Sequence, residues 1–200
     1  MPLGKIQFLA AADVSFSRKS PVLFAAVLVY TFPDLELVEH QENVSEAQFP
    51  YIPGLLSFRE APALVPLFER LNHLPDVVLV DGQGIAHPRR FGIASHLGVL
   101  LDLPTVGCAK SRLVGEFERL PEKRGEWVPL TDNGQVIGRV VCTRSGVKPL
   151  FVSVGHKVTL PDAMNLVLRS VSKYRIPDPL RGAHNWVNRL RREAEDASPC

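Results

Sequence analysis

Apolar positions fall into three early blocks, Lys5–Phe16, Val22–Tyr30 and Leu35–Val44, parted by the polar turns S-R-K-S-P and T-F-P-D. Short β-branched-rich runs with tight polar breaks predict consecutive antiparallel hairpins. Phe49–Ala61 carries Pro50, Pro53 and Gly54, with Pro62 just beyond, and reads as a shaped loop. Ala63–Leu71 then repeats its apolar residues at helical spacing. From there strand and helix alternate. Val77–Val80 and Thr105–Cys108 are continuous apolar runs, as expected of strands buried on both faces, and Phe91–Leu101 between them reads as a helix. That is a βαβ unit with parallel strands. Ser111–Thr131 mixes charge, proline and glycine and is expected to be a long excursion. Gln135–Cys142 and Leu150–Val154 are further strands, Leu160–Ser170 is a helix, and the basic tail from Pro177 is helical from about Arg181.

No repeat, low-complexity tract or linker interrupts this order, so residues 1–200 are read as one α/β domain: three antiparallel strands, then parallel ones, flanked by helices.

Composition narrows the class without choosing a function. The chain of 200 residues is 46% hydrophobic and 22% charged, an ordinary globular balance. Its net charge of +2 does not by itself indicate a polyanionic partner, so any nucleic-acid surface must come from local clustering. Cys108, Cys142 and Cys200 are odd in number, widely spaced and without a CxxC pair, which argues against a disulfide framework or a zinc site and fits a reducing cytoplasm. Val22–Tyr30 is too short to span a bilayer, and M-P-L-G-K lacks the layout of a signal peptide.

The chemistry lies at strand ends. Asp13 is read as ending the first strand, in A-A-A-D-V-S-F, and Asp81 as ending the fourth, in V-V-L-V-D. Two carboxylates on neighbouring strand ends can share a hard divalent cation such as Mg²⁺, although Asp is also an ordinary turn residue. Glu60 is a third acid, or else a surface partner of Arg59. D-G-Q-G lacks both the GxGxxG fingerprint and a Walker lysine, so the metal reading of the loop is stronger than a phosphate cradle. His87, Arg89 and Arg90 are compatible with a polar surface loop. Lys110 follows T-V-G-C-A and His156 follows F-V-S-V-G, which points Asp13, Asp81, Lys110 and His156 to one edge of the sheet.

These motifs together resemble the endonuclease V family: D-V-S-F at 13–16, P-Y-I-P-G-L-L-S-F-R-E at 50–60, V-D-G-Q-G-I-A-H-P-R-R-F-G-I-A-S-H-L-G at 80–98, T-V-G-C-A-K-S-R-L-V-G at 105–115 and V-G-H-K-V at 154–158. The resemblance implies an RNase H-like fold and a Mg²⁺-dependent endonuclease, with Mn²⁺ able to substitute. It would act on DNA containing deoxyinosine and cut the second phosphodiester bond 3′ to the lesion, leaving 3′-hydroxyl and 5′-phosphate. By motif position, Asp13 and Asp81 would bind metal, Glu60 and His156 would complete the catalytic site, and Lys110 would lie at the scissile phosphate. Tyr51 would belong to a wedge with Ile52 and Pro53. Backbone around Gly54 and Leu56, and around Gly82, Gln83, Gly84 and Ile85, would line a pocket for the extruded base, with His87 and Arg89 contacting DNA.

The alternatives are cleavage of inosine-containing RNA, or a lesion-binding module with weak catalysis. No membrane partner is expected, and the chain is expected to be a monomer. Two departures from the family pattern stand out: Gln83 where His is common, and only M-P-L-G ahead of the first strand where a helix is usual.

Overall fold

The computed structural model describes residues 5–17 and 20–197; Met1–Gly4, Arg18 and Lys19 of the first turn, and Cys200 lie outside the described residues. Strands β1 (Phe8–Phe16), β2 (Val22–Thr31) and β3 (Leu37–Glu46) form the expected antiparallel meander. Helix α1 (Leu56–Glu69), β4 (Val77–Val80), α2 (Ile93–Leu101) and β5 (Thr105–Ala109) follow. Strands β6 (Trp127–Asp132), β7 (Gln135–Val141) and β8 (Leu150–His156) lead to α3 (Leu160–Arg169) and α4 (Asp178–Asp196). All eight strands share one sheet in the order β3-β2-β1-β4-β5-β8-β7-β6.

The period-two alternation of a strand explains why the central runs look continuously apolar. Leu9, Ala11, Leu28, Val77, Leu79 and Val106 face one side and pack with Leu166 and Val167 of α3 and Leu180, Ala183 and Val187 of α4. Ala10, Ala12, Val27, Val78 and Val80 face the other and pack with Leu64 and Leu67 of α1 and Ile93 and Leu97 of α2. At one end of the sheet, β3 (L-V-E-H-Q-E-N-V-S-E) protects the exposed edge with charge.

Three sequence expectations need correction. Helix α1 begins at Leu56, inside the stretch read as loop, and contains Pro62 and Pro66. Both prolines are exposed and lie four residues apart on one face, so the backbone carbonyls they leave without a donor meet water rather than the core. The region read as an excursion contains β6, whose Pro129 is tolerated because β6 is an edge strand. Finally, β4 and β5 run parallel to their neighbours, but β8 runs antiparallel to β5 and starts an antiparallel ladder through β7 to β6. The C-terminus of β8 therefore lies at the opposite edge of the sheet from the C-terminus of β5.

Candidate active site

Strand register builds the site. In the parallel pair β1–β4, Leu9 faces Val77 and Ala12 faces Val80, so the next step brings Asp13 level with Asp81. Val80 in turn faces Gly107, which places Lys110 just beyond the same edge of β5.

Asp13 is buried, and its two oxygens have different partners: Oδ1 accepts from the Val14 N–H at 2.8 Å, and Oδ2 lies 2.8 Å from Nδ1 of His184 on α4. Asn188, one turn further along α4, donates from Nδ2 to the His184 carbonyl at 2.8 Å and lies 3.2 Å from the ring Nε2. Arg191 donates to the Asn188 Oδ1 at 3.1 Å and so helps hold that side chain beside the ring. Lys110 Nζ donates to Asp81 Oδ2 and lies 3.5 Å from the His184 Nδ1.

Negative charge is crowded here. Burial and the neighbouring Asp13 raise the Asp81 carboxyl above its ordinary range, with Lys110 opposing. Glu60, half-buried on α1, is pushed up to about 8 by burial and by Asp13 and Asp81, with Arg59 opposing. One ligand atom from each of Asp13, Asp81 and His184 lies within 4.8 Å of the other two. Two carboxylate oxygens and an imidazole nitrogen, in a site with more carboxylates than Lys110 can balance, fit a divalent cation.

His156 is not part of this site. It pairs with Thr105, the first residue of β5, at the opposite edge of the sheet, and its Nε2 lies 3.5 Å from Asp102 Oδ1. The expectation of four polar strand ends on one edge assumed that β8 runs parallel to β5. His184 occupies the place beside the aspartates instead. Its one sequence signal is a histidine beside the apolar face formed by Leu180, Ala183 and Val187 in an otherwise basic helix.

A cavity of about 420 Å³ opens beside Asp81 and Lys110. It is lined by Tyr51, Ile52, Pro53, Gly54, Leu56, Gly82, Gln83 and His87, together with Ile93, Ala109 and Ser111–Leu113. Tyr51, 65% exposed, stands out from the loop at 50–54. Gly54 turns that loop at a φ of +78°, where a side chain would be strained, and its carbonyl accepts from Arg89 Nη1 at 3.1 Å.

Not every residue expected at the lesion reaches the cavity. Gly84 and Ile85 are absent from its lining, and their N–H groups donate to Ser153 Oγ at 2.9 Å and to the Val154 carbonyl at 2.8 Å. Arg89 is absent from the lining too and holds the loop at 50–54 through the Gly54 carbonyl. Arg90 pairs with Asp132 of β6 at 2.6 Å. His87 is buried, its Nδ1 accepts from the Arg89 N–H at 3.2 Å, and desolvation with the Arg89 charge lowers its pKa, so it contributes a neutral wall. Gln83 is buried with its Nε2 donating to the Ser111 carbonyl at 3.0 Å, and its Oε1 has no partner among the described residues.

The chain is similar to known proteins along most of its length. The family model for Endonuclease V matches residues 2–185. The Endonuclease V of Rippkaea orientalis is 50% identical over 187 residues, covering 94% of this chain and 80% of its own. The crystal structure of the Streptomyces avermitilis Endonuclease V superposes with a TM-score of 0.91 at 41% identity, covering 97% of this chain and 86% of that one. Ciona intestinalis Endonuclease V, in complex with a 24mer DNA containing an inosine followed by a ribo-adenosine, superposes with a TM-score of 0.80 at 29% identity over 96% of this chain and 89% of that one.

Proposed function

The chain belongs to the endonuclease V family of nucleases, and from that premise we propose that it recognises deoxyinosine in DNA and hydrolyses the second phosphodiester bond 3′ to it. The observation that carries this reading is the adjacency of the Asp13–Asp81–His184 cluster to a cavity lined by the wedge loop and the D-G-Q-G loop.

Inosine carries an O6 acceptor where adenine has an amino donor, and lacks the 2-amino group of guanine. Backbone N–H groups in the cavity select the first difference and a close wall the second. The Gly82 and Gln83 amides have no acceptor among the described residues and so remain free for a base, unlike those of Gly84 and Ile85. Extruding the base costs a few kcal/mol. Stacking of Tyr51 into the gap returns ~1–3 kcal/mol.

Asp13, Asp81 and His184 would hold Mg²⁺ or Mn²⁺, and the bound ion would polarise the phosphate and acidify the attacking water. Lys110, held against Asp81, places a positive charge where charge develops on the phosphoryl oxygens. Glu60 is raised by burial and by the charges of Asp13 and Asp81; a cation bound by those aspartates would offset their charge and leave Glu60 able to take the proton released by water as its oxygen attacks phosphorus. The bond from phosphorus to the 3′ oxygen breaks, the 3′ oxygen gains a proton, and 5′-phosphate remains on the downstream strand. Asn188 acts through His184 by fixing the ring.

A second reading, cleavage of inosine-containing RNA, is favoured by the ribo-adenosine that follows inosine in the Ciona complex. Matched DNA and RNA strands with a single inosine separate the two. Faster nicking of the DNA supports the first reading, and faster nicking of the RNA supports the second. Asp81→Ala is expected to abolish either.

A further inference from the structure

Lys110 and Ser111 line two cavities. In the strand order β4-β5-β8, the lesion cavity lies on the β4 side of Lys110, next to Asp81. The second, of about 740 Å³, lies on the β8 side, where Phe151 pairs with Ala109 directly before Lys110. Leu120, Pro121, Val147, Pro149 and Phe151 wall it, Lys148 adds a second cation and Glu122 a carboxylate. Leu120 and Val147 are 56% and 40% exposed, so an apolar surface faces solvent beside Lys110.

We infer that this second cavity holds the nucleobase of the first nucleotide beyond the scissile phosphate, so that the strand passes over Lys110 with the lesion on one side and this base on the other. The inference rests on the nuclease reading above. Continuity argues for a nucleotide as the occupant: a strand whose phosphate sits at Lys110 and whose lesion fills the first cavity must continue past the same lysine. The volume lies within the range of ~300–1,000 Å³ typical of small-ligand pockets. Apolar and proline walls offer faces for a base to pack against and few groups to read its edge, so the site takes any base. Specificity then stays with the lesion cavity, while the second site holds the backbone in line for attack.

The test is equilibrium binding in EDTA, which needs no turnover. Duplexes carry one deoxyinosine and either a normal base or an abasic site at the second nucleotide 3′ to it, in each case opposite an abasic site in the other strand so that no base pair has to be broken. A control places the abasic site equally far on the 5′ side. Wild type is expected to bind the 3′-abasic duplex about tenfold more weakly than the intact one, with no loss for the 5′ control. Leu120→Ser combined with Val147→Ser, both at exposed positions, is expected to bind the intact and 3′-abasic duplexes alike, at the weaker affinity. Inosine preference with no 3′-abasic penalty in wild type, or a penalty that persists in the double variant, overturns this inference alone. Equal affinity for inosine and unmodified duplexes overturns the nuclease reading and this inference with it.

Discussion

His184 Nδ1 and Asp13 Oδ2 lie 2.8 Å apart although 171 positions separate them in the chain. The contact joins the last helix to the first strand at the edge where Asp81 also emerges. Replacing His184 by Ala removes the candidate nitrogen ligand and the partner of Asp13, and is expected to slow nicking by about a hundredfold or more. His156→Ala, at the opposite edge, is expected to leave nicking unchanged. Single-turnover rates of the two variants check this; the reverse order of effects would return His156 to the site.

Gln83 ties the loop after Asp81 to the segment after Lys110 through Ser111. Gln83→Ala is expected to cost about 1 kcal/mol of stability and to slow nicking, because Lys110 loses its tether to the Asp81 loop. Gln83→Glu sets a carboxylate against the Ser111 carbonyl and is expected to be worse. Thermal unfolding together with nicking rates measures both effects, and a silent Gln83→Glu would show that the bridge does not matter.

Glu60 makes the metal-free protein sensitive to pH. Its carboxyl is raised from 4.5 to about 8 in the fold, so its contribution is fully present below pH 4.5 and is lost as pH rises toward 8. In EDTA, the Tm of wild type is expected to fall across that window relative to Glu60→Gln. Parallel Tm curves for the two proteins would contradict the raised carboxyl.

Gly107 lies directly against the backbone of the loop formed by Gly82, Gln83 and Gly84. A Cβ there would stand 2.4 Å from the Gly84 nitrogen and 2.7 Å from the Gly82 carbonyl oxygen. Because backbone rather than a flexible side chain must move, Gly107→Ala is expected to destabilise by at least ~1–3 kcal/mol, the usual cost of overpacking. Chemical denaturation measures the loss, and an unchanged midpoint would show that the loop yields freely.

Much of this was legible in the sequence because it is written in local patterns. Val77–Val80 and Thr105–Cys108 look like buried strands because both faces of the sheet are covered, and an aspartate directly after such a run must surface at its edge. The wedge loop, the D-G-Q-G loop and Lys110 all come together around one cavity. The direction of β8 was not legible, because an apolar run of strand length is the same forwards and backwards, and His156 was misplaced for that reason. His184 was hidden for a different one: a single histidine in a basic amphipathic helix gives no sign of the strand it meets. The prolines of α1 and β6 suggested loops, and only their solvent-facing or edge positions explain why helix and strand persist.

The most direct test is a cleavage map on a duplex carrying one deoxyinosine, for wild type and Asp81→Ala, in Mg²⁺ and in EDTA. A single nick at the second phosphodiester bond 3′ to the inosine, seen only for wild type with Mg²⁺, is the expected result. A nick in EDTA, a nick by Asp81→Ala, or no nick by wild type in Mg²⁺ would contradict the account.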